Sequence, residues 1–297
     1  MKPKVMYVGF LLPIVFVFMS HAQQDDFPVL KGPYLGQKPP GMMPEIFAPG
    51  IVSTDVSEFS CTFSPDGKSF YFARDRGEYK YSIYLTREEE GGWINPRVAP
   101  FSGEHMDHEP FYSHDGKRLY WGSMRPLNNG KIAYSTWFIE KIDEDWGEPQ
   151  PLDFFAMYIT SSLDGTLYYT VRGEGGACIA RSRCVDGLYQ EQEILGPPVF
   201  SEYWDAHPFI APDESYLIFD SEKRPKKGEC RLWISFKKED GTWTVPTNMG
   251  SKVHKKAGYA MLSPDGKYLF FSAGGDIYWV DAKIIEDLKL EKSKQRG

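Results

Sequence analysis

Five residues recur along the chain at spacings of 49, 49, 49 and 52: Ser60, Glu109, Tyr158, His207 and Tyr259. Among them are an imidazole, a carboxylate and two phenols, groups that move protons in enzyme sites. Two residues before each lies a second set, Glu58, Asp107, Ala156, Asp205 and Ala257. In an extended strand the side-chain period is two, so both sets face one side. Downstream, an arginine returns in four of the five copies: Arg74, Arg125, Arg172 and Arg224. The fifth copy has Ala273-Gly274-Gly275 there, and Tyr203-Trp204 stand just ahead of the fourth.

Arginine stays charged and grips carboxylate or sulfate bidentately. Flat aromatic rings suit sugar rings. The types therefore predict a site for an acidic oligosaccharide, uronate-bearing or sulfated, with Arg74, Arg125, Arg172, Arg224, Trp204, Asp107 and Asp205 binding it. The chemistry they suit is abstraction of a proton α to a carboxylate. His207, Tyr158 or Tyr259 would take the proton and Glu109 would help the leaving group, eliminating water or a glycosyl group. Structural roles compete with each of these. The arginines are equally suited to pair with Glu58, Asp107 and Asp205, the tyrosines to fill a channel, and His207, which precedes Pro208, to cap a strand.

Two other function classes fit the same residues. One is a non-catalytic module that binds a cell-envelope protein. The other is a glycoside hydrolase, which needs two carboxylates about 5–10 Å apart, with Glu58, Asp107, Glu109 and Asp205 as candidates. No metal or cofactor is expected. The cluster from His105 to Glu109 lacks zinc-type spacing, and alternation along a strand would turn His108 and Glu109 to opposite faces. A P-loop and a Gly-x-Ser-x-Gly elbow are both absent from the sequence.

The elements that position these residues are themselves repeated. Each copy centres on a turn: Ser-Pro-Asp66-Gly-Lys, Ser-His-Asp115-Gly-Lys, Ser-Leu-Asp164-Gly-Thr, Ala-Pro-Asp213-Glu-Ser and Ser-Pro-Asp265-Gly-Lys. Pro fixes φ, Asp accepts from nearby backbone N–H groups, and Gly tolerates positive φ. Apolar, aromatic-rich runs flank every turn, so each repeat has room for four short strands. Third strands are expected over residues 81–86, 132–142, 178–183, 231–236 and 276–280. Trp-x-x-Pro signals at Trp93, Trp146 and Trp243 mark the fourth, with a weaker match over residues 188–198 in the third repeat.

The fifth repeat lacks a fourth strand, and residues 44–53 supply one from the other end of the chain. The fold expected is all-β: a five-bladed β-propeller closed by an N-terminal strand that completes the last blade. The repeats resemble the WD40-like, or TolB-like, propeller repeats with their Ser-Pro-Asp-Gly-Lys signature. That resemblance covers nearly all of the chain beyond residue 22. It implies the fold and a periplasmic setting, but no residue role is carried over from it. Some propeller-fold polysaccharide lyases combine Arg, His and Tyr in the same way.

The remaining features bound the setting. Lys2 and Lys4, an apolar run over residues 5–19 and Ser20-His21-Ala22 read as a signal peptide, 1–22. A lead-in over 23–43, the propeller over 44–281 and a short helix with a charged tail over 282–297 follow. A periplasmic or secreted protein with no membrane span after signal cleavage is expected. The net charge of −7 argues against nucleic acid as a partner. Cys61, Cys178, Cys184 and Cys230 are too few for a disulfide scaffold and read as structural thiols. Cys178 and Cys184, placed on one strand, would be about 20 Å apart.

Overall fold

A computed structural model describes residues 27–78, 80–143, 145–173, 176–199, 204–222 and 231–294. The expected signal peptide, Tyr203, Arg224 and Cys230 lie outside the described residues. Five antiparallel sheets are arranged as a five-bladed β-propeller, with strands in sequence order from the channel outwards in four blades and an N-terminal strand outermost in the fifth. The inner strands are Glu58–Phe63, Asp107–Tyr112, Met157–Ser161, Asp205–Ile210 and Gly258–Leu262. The second strands are Ser69–Asp75, Arg118–Ser123, Leu167–Gly173, Tyr216–Ser221 and Tyr268–Ala273. Among the described residues no helix is long and apolar enough to cross a membrane.

The repeated turn works as its residue types predict. In blade one Ser64 Oγ donates to Asp66 Oδ1 at 2.6 Å, Lys68 N donates to the same oxygen at 3.0 Å, and Ser69 N donates to Ser64 Oγ at 2.8 Å. Blades two and five repeat the three bonds through Ser113–Asp115 and Ser263–Asp265. Blade four has Glu214 in place of glycine and still adopts φ 58° there. Its carboxylate accepts from Tyr168 Oη of blade three at 2.9 Å and pairs with Lys237. These contacts offset the strain of a side chain in the left-handed region.

The closing strand is shorter than residues 44–53. Only Glu45–Ile46 pairs with Asp276–Asp281 of blade five, in the register Glu45↔Trp279 and Ile46↔Tyr278. Pro44 has no N–H to extend the ladder. Beyond Phe47 the chain turns, because the Ala48 carbonyl accepts from Ile51, Val52 and Ser53. The lead-in adds a second fastening. Trp93 N and Nε1 of blade one donate to Leu30 O and Gly32 O, both at 2.8 Å. Tyr34 Oη donates to Asp265 Oδ1 of blade five at 2.7 Å. A helix, Lys283–Lys294, follows the last strand.

Two other elements depart from expectation. The third strand of blade two is Ser135–Ile142, with Ile132 confined to an isolated bridge to Pro126. In blade three the strand Gly176–Ser182 ends before Cys184, which starts a separate hairpin, Cys184–Val185 with Leu188–Tyr189. The outer strand there is Glu193–Ile194. Cys61, Cys178 and Cys184 are free thiols.

Candidate functional site

Every inner strand carries a register shift at the same place, and each shift contains one of the five recurring residues. All five have left-handed backbones: φ is 47° at Ser60, 59° at Glu109, 48° at Tyr158, 50° at His207 and 56° at Tyr259. None is glycine, so each conformation costs about 1–3 kcal/mol and persists only where its surroundings hold it. Part of that support comes from the preceding blade. Ser60 N donates to Ser272 Oγ at 2.8 Å, and His207 N donates to Thr170 Oγ1 at 2.9 Å. A bulge re-aims the side chain it carries, and here five of them converge around the channel mouth.

The centre of the site is His207. Its Nδ1 lies 2.9 Å from Asp220 Oδ1 and 3.1 Å from Oδ2, which fixes Nδ1–H as the donor. Its Nε2 faces Glu109 Oε1 of blade two at 3.9 Å. The imidazole stacks on Tyr259 at 4.1 Å between ring centres and meets the edges of Tyr158 and Trp204 at 5.3 and 5.5 Å. Glu109 Oε2 accepts from Tyr134 Oη at 2.9 Å and sits 3.5 Å from His108 Nδ1. Asp220 also lies 3.8 Å from Arg231 Nη2. A chain of alternating bases and acids thus crosses the mouth: His108, Glu109, His207, Asp220 and Arg231.

Burial alone would raise the Glu109 carboxyl, but the nearby His108 and His207 imidazoles, with the hydrogen bond from Tyr134, hold it down to about 2. Burial alone would lower the His207 imidazole, but Asp220, by charge and hydrogen bond, and Glu109 raise it above its ordinary value. Tyr134, Tyr158 and Tyr259 are pushed well above the phenol range, chiefly by burial. Tyr158 Oη is further engaged, donating to the Ala260 carbonyl at 2.9 Å. The raised imidazole and the lowered carboxyl both favour an imidazolium between two carboxylates, with neutral phenols around it.

Two of the expected ligand-binding arginines are occupied. Arg74 Nε donates to Glu58 Oε1 at 2.8 Å, its Nη2 donates to the Ile51 and Val52 carbonyls, and it lies over Phe72 and Tyr84. Arg125 is buried, with Nη2 donating to Asp107 Oδ1 at 3.0 Å and to the Phe101 carbonyl, between Trp121 and Trp137. Glu58 and Asp107 are thereby consumed as well. Arg172 is exposed and lies over the Phe155 ring at 5.7 Å. Asp205, Ala156 and Ala257 are buried.

Asp220 and Tyr134 escaped the sequence reading. Asp220 occupies the second-strand position held by Ala73, Gly122, Thr170 and Ser272 in the other blades, so the ruler that found His207 also reaches it when extended past the turn. Tyr134 has no such signal. It fills the space left by Gly122, where a Cβ would fall 2.3 Å from its Oη. The expected opposition of His108 and Glu109 also fails. The left-handed φ at Glu109 breaks the strand alternation and brings both side chains together. Among the described residues no group of three or more His, Cys, Asp or Glu is placed to hold a metal ion.

A cavity of about 320 Å³ opens beside the His207–Asp220 pair, lined by Glu58, Phe59, Tyr81, Asp220, Arg231, Lys256, Gly258, Tyr259 and the Gly274-Gly275 loop. A larger one, about 770 Å³, lies between blades one and two by the Asp66 and Asp115 turns, walled by Tyr71, Tyr112 and Trp146. It contains none of the channel-mouth residues.

No protein-family model matches the chain, and no curated protein matches it. Among solved structures the chain is similar to TolB from Acinetobacter baumannii, with 13% identity, a TM-score of 0.51, and coverage of 77% of this chain and 55% of that one. It therefore spans little more than half the length of that protein. It is also similar to a putative TolB from Agrobacterium tumefaciens, with 20% identity, coverage of 74% and 73%, and a TM-score of 0.47. A third likeness is to a thermostable family-43 glycoside hydrolase, with 12% identity, coverage of 82% and 90%, and a TM-score of 0.48. At such identities the likeness concerns the fold alone, a TolB-like propeller. Folds of this kind host many functions, so function has to be argued from the site.

Proposed function

We propose that the channel mouth binds an acidic oligosaccharide and carries out elimination next to its carboxylate. The observation that carries this reading is the Asp220–His207 pair, with Nε2 facing Glu109 at 3.9 Å. The resting charges favour His207 as the proton donor and Glu109 as the acceptor. In the step envisaged, the C–H bond α to the carboxylate breaks and its proton passes to Glu109. The electron pair forms the new C=C bond, the β C–O bond breaks, and the leaving oxygen takes the proton of His207 Nε2. Glu109 is a weak base at rest, but its basicity rises as His207 gives up its charge, because the two titrations are coupled. Return of the proton from Glu109 to His207 resets the site. An exported, periplasmic or secreted setting fits such a substrate.

The test is incubation of the protein with a panel of acidic oligosaccharides, following the ultraviolet absorbance of an unsaturated uronate. A rise abolished by His207→Ala, with product mass separating loss of water from chain cleavage, is the expected result. No rise with any member of the panel overturns the chemistry. A second reading, a non-catalytic module that presents this face to a cell-envelope protein, is favoured by how closed the mouth is: His207 and Glu109 are each only 5% exposed. Binding of acidic oligosaccharides without turnover leaves a sugar-binding protein, and neither binding nor turnover moves the choice to that second reading.

A further inference from the structure

We infer that the notch at blade five is the subsite for a single anionic sugar unit, an inference that rests on the channel-mouth reading. In blades one and two the rim is closed by arginine clamped to a buried acid, Arg74 on Glu58 and Arg125 on Asp107. Blade five has Gly274-Gly275 at that point. A Cβ built on Gly274 would meet nothing within 4 Å, and one on Gly275 would meet only Ser57. The missing side chains leave the cavity of about 320 Å³ open between blades four, five and one.

Its walls have the chemistry of an anionic ring. Tyr259, Phe59 and Tyr81 form an aromatic lining, with Phe59 edge-on to both tyrosines at 5.0 and 4.8 Å. Arg231 and Lys256 supply cations at the same cavity. Arg231 Nη2 is bound to Glu222 at 2.6 Å, but its Nε is buried and has no hydrogen-bond partner among the described residues. An unsatisfied buried donor on a guanidinium is costly and calls for an acceptor. Lys256 is exposed and makes no ion pair among the described residues. Gly258 lines the floor, where its missing Cβ would stand 3.6 Å from the Asp220 carboxylate. Asp220 therefore touches His207 on one side and the notch on the other.

A volume near the lower end of small-ligand sites admits one or two sugar units rather than a polymer lying across the face. The occupant is a terminal uronate whose carboxylate meets Arg231 and Lys256 and whose ring lies against Tyr259. Acidic chains are thus read from an end.

Binding is measured by calorimetry with glucuronate, galacturonate and a trimer of each, against neutral glucose, for the wild type, Lys256→Glu and Arg231→Gln. Lys256 is exposed, so its reversal tests charge without threatening the fold. The expected result is that uronate affinity falls tenfold or more in Lys256→Glu and in Arg231→Gln, with monomer and trimer bound alike and glucose bound by none. Uronates binding the wild type and Lys256→Glu equally would overturn the subsite and leave the channel-mouth reading standing. No uronate binding to the wild type would overturn both.

Discussion

His207 Nδ1 stands 2.9 Å from Asp220 Oδ1 within one blade, and neither side chain is more than 7% exposed. Burial pulls the imidazole towards neutrality, and Asp220 is the main force holding it charged. The pair is therefore a pKa device as much as a structural contact.

Asp220→Asn should lower the His207 pKa below its present raised value and remove the orienting acceptor. Turnover on an acidic oligosaccharide should fall at least about 100-fold, the usual range for losing a general acid. Breaking a buried pair by neutralising one partner should cost about 3–5 kcal/mol of stability. The imidazole titration followed by NMR checks the first point independently of folding losses. An unchanged His207 pKa would remove Asp220 from the site's electrostatics.

Tyr134 and Gly122 act together on Glu109. Tyr134→Phe removes a hydrogen bond to a buried carboxylate, worth about 1.5–3 kcal/mol, and should raise the Glu109 pKa from about 2. Gly122→Ala keeps the phenol but drives a methyl into it, since the Cβ would lie 2.3 Å from Oη and 2.8 Å from Cζ. Carbon-detected titration of Glu109 should show the same upward shift in both variants. A shift in the first without the second would show that Tyr134 finds another route to the carboxylate.

The fold was legible because the Asp66, Asp115, Asp164, Asp213 and Asp265 turns fix a ruler that the structure obeys. The candidate site was half legible for the same reason. Ser60, Glu109, Tyr158, His207 and Tyr259 were placed together by spacing alone. Their left-handed backbones were not foreseeable, since nothing local to Tyr158 or Tyr259 favours positive φ. That conformation depends on neighbours such as Ser272 and Thr170. The arginines show the opposite limit. Arg74, Arg125 and Arg172 share the loop after the second strand, but among the described residues only the first two pair with an acid, and this depends on side-chain geometry that spacing does not encode.

That difference separates Arg125 from Arg172 by experiment. Arg125→Ala strands Asp107 as a buried, less compensated charge and should cost about 3–5 kcal/mol. Arg172→Ala removes an exposed side chain and should stay within about 0.5 kcal/mol. Only the second then gives a clean reading of affinity for acidic oligosaccharides, and weaker binding with an unchanged melting temperature is the outcome expected. Equal destabilisation by both would show that Arg172 is structural too.

Phe47 tests the clasp. It follows the closing strand and packs 5.2 Å from Phe70 of blade one and 5.1 Å from both Phe270 and Trp279 of blade five. Phe47→Ala should cost about 3–5 kcal/mol as a fully buried aromatic. Because the ring joins first and last blades, hydrogen exchange should rise in Glu45–Ile46 and Asp276–Asp281 before it rises in blade three. Uniform loss of protection would mean that the ring unfolds as one unit without opening at the seam.

The charge relay predicts a bounded pH range for stability. His207 has a folded pKa above its ordinary 6.5, so its contribution is complete below 6.5 and is lost as pH rises through the folded value. Glu109 has a folded pKa lowered from 4.5 to about 2, so its contribution is complete above 4.5 and is lost as pH falls towards 2. Both act together between 4.5 and 6.5, where the melting temperature should be highest. Glu109→Gln should flatten the acidic limb and also lower the His207 pKa, since Glu109 is one of the charges that raise it. His207→Gln should flatten the alkaline limb and let the Glu109 carboxyl rise. If each variant altered only its own limb and left the partner's titration unmoved, the 3.9 Å approach between the two would carry no coupling, and proton exchange between them would lose its physical basis.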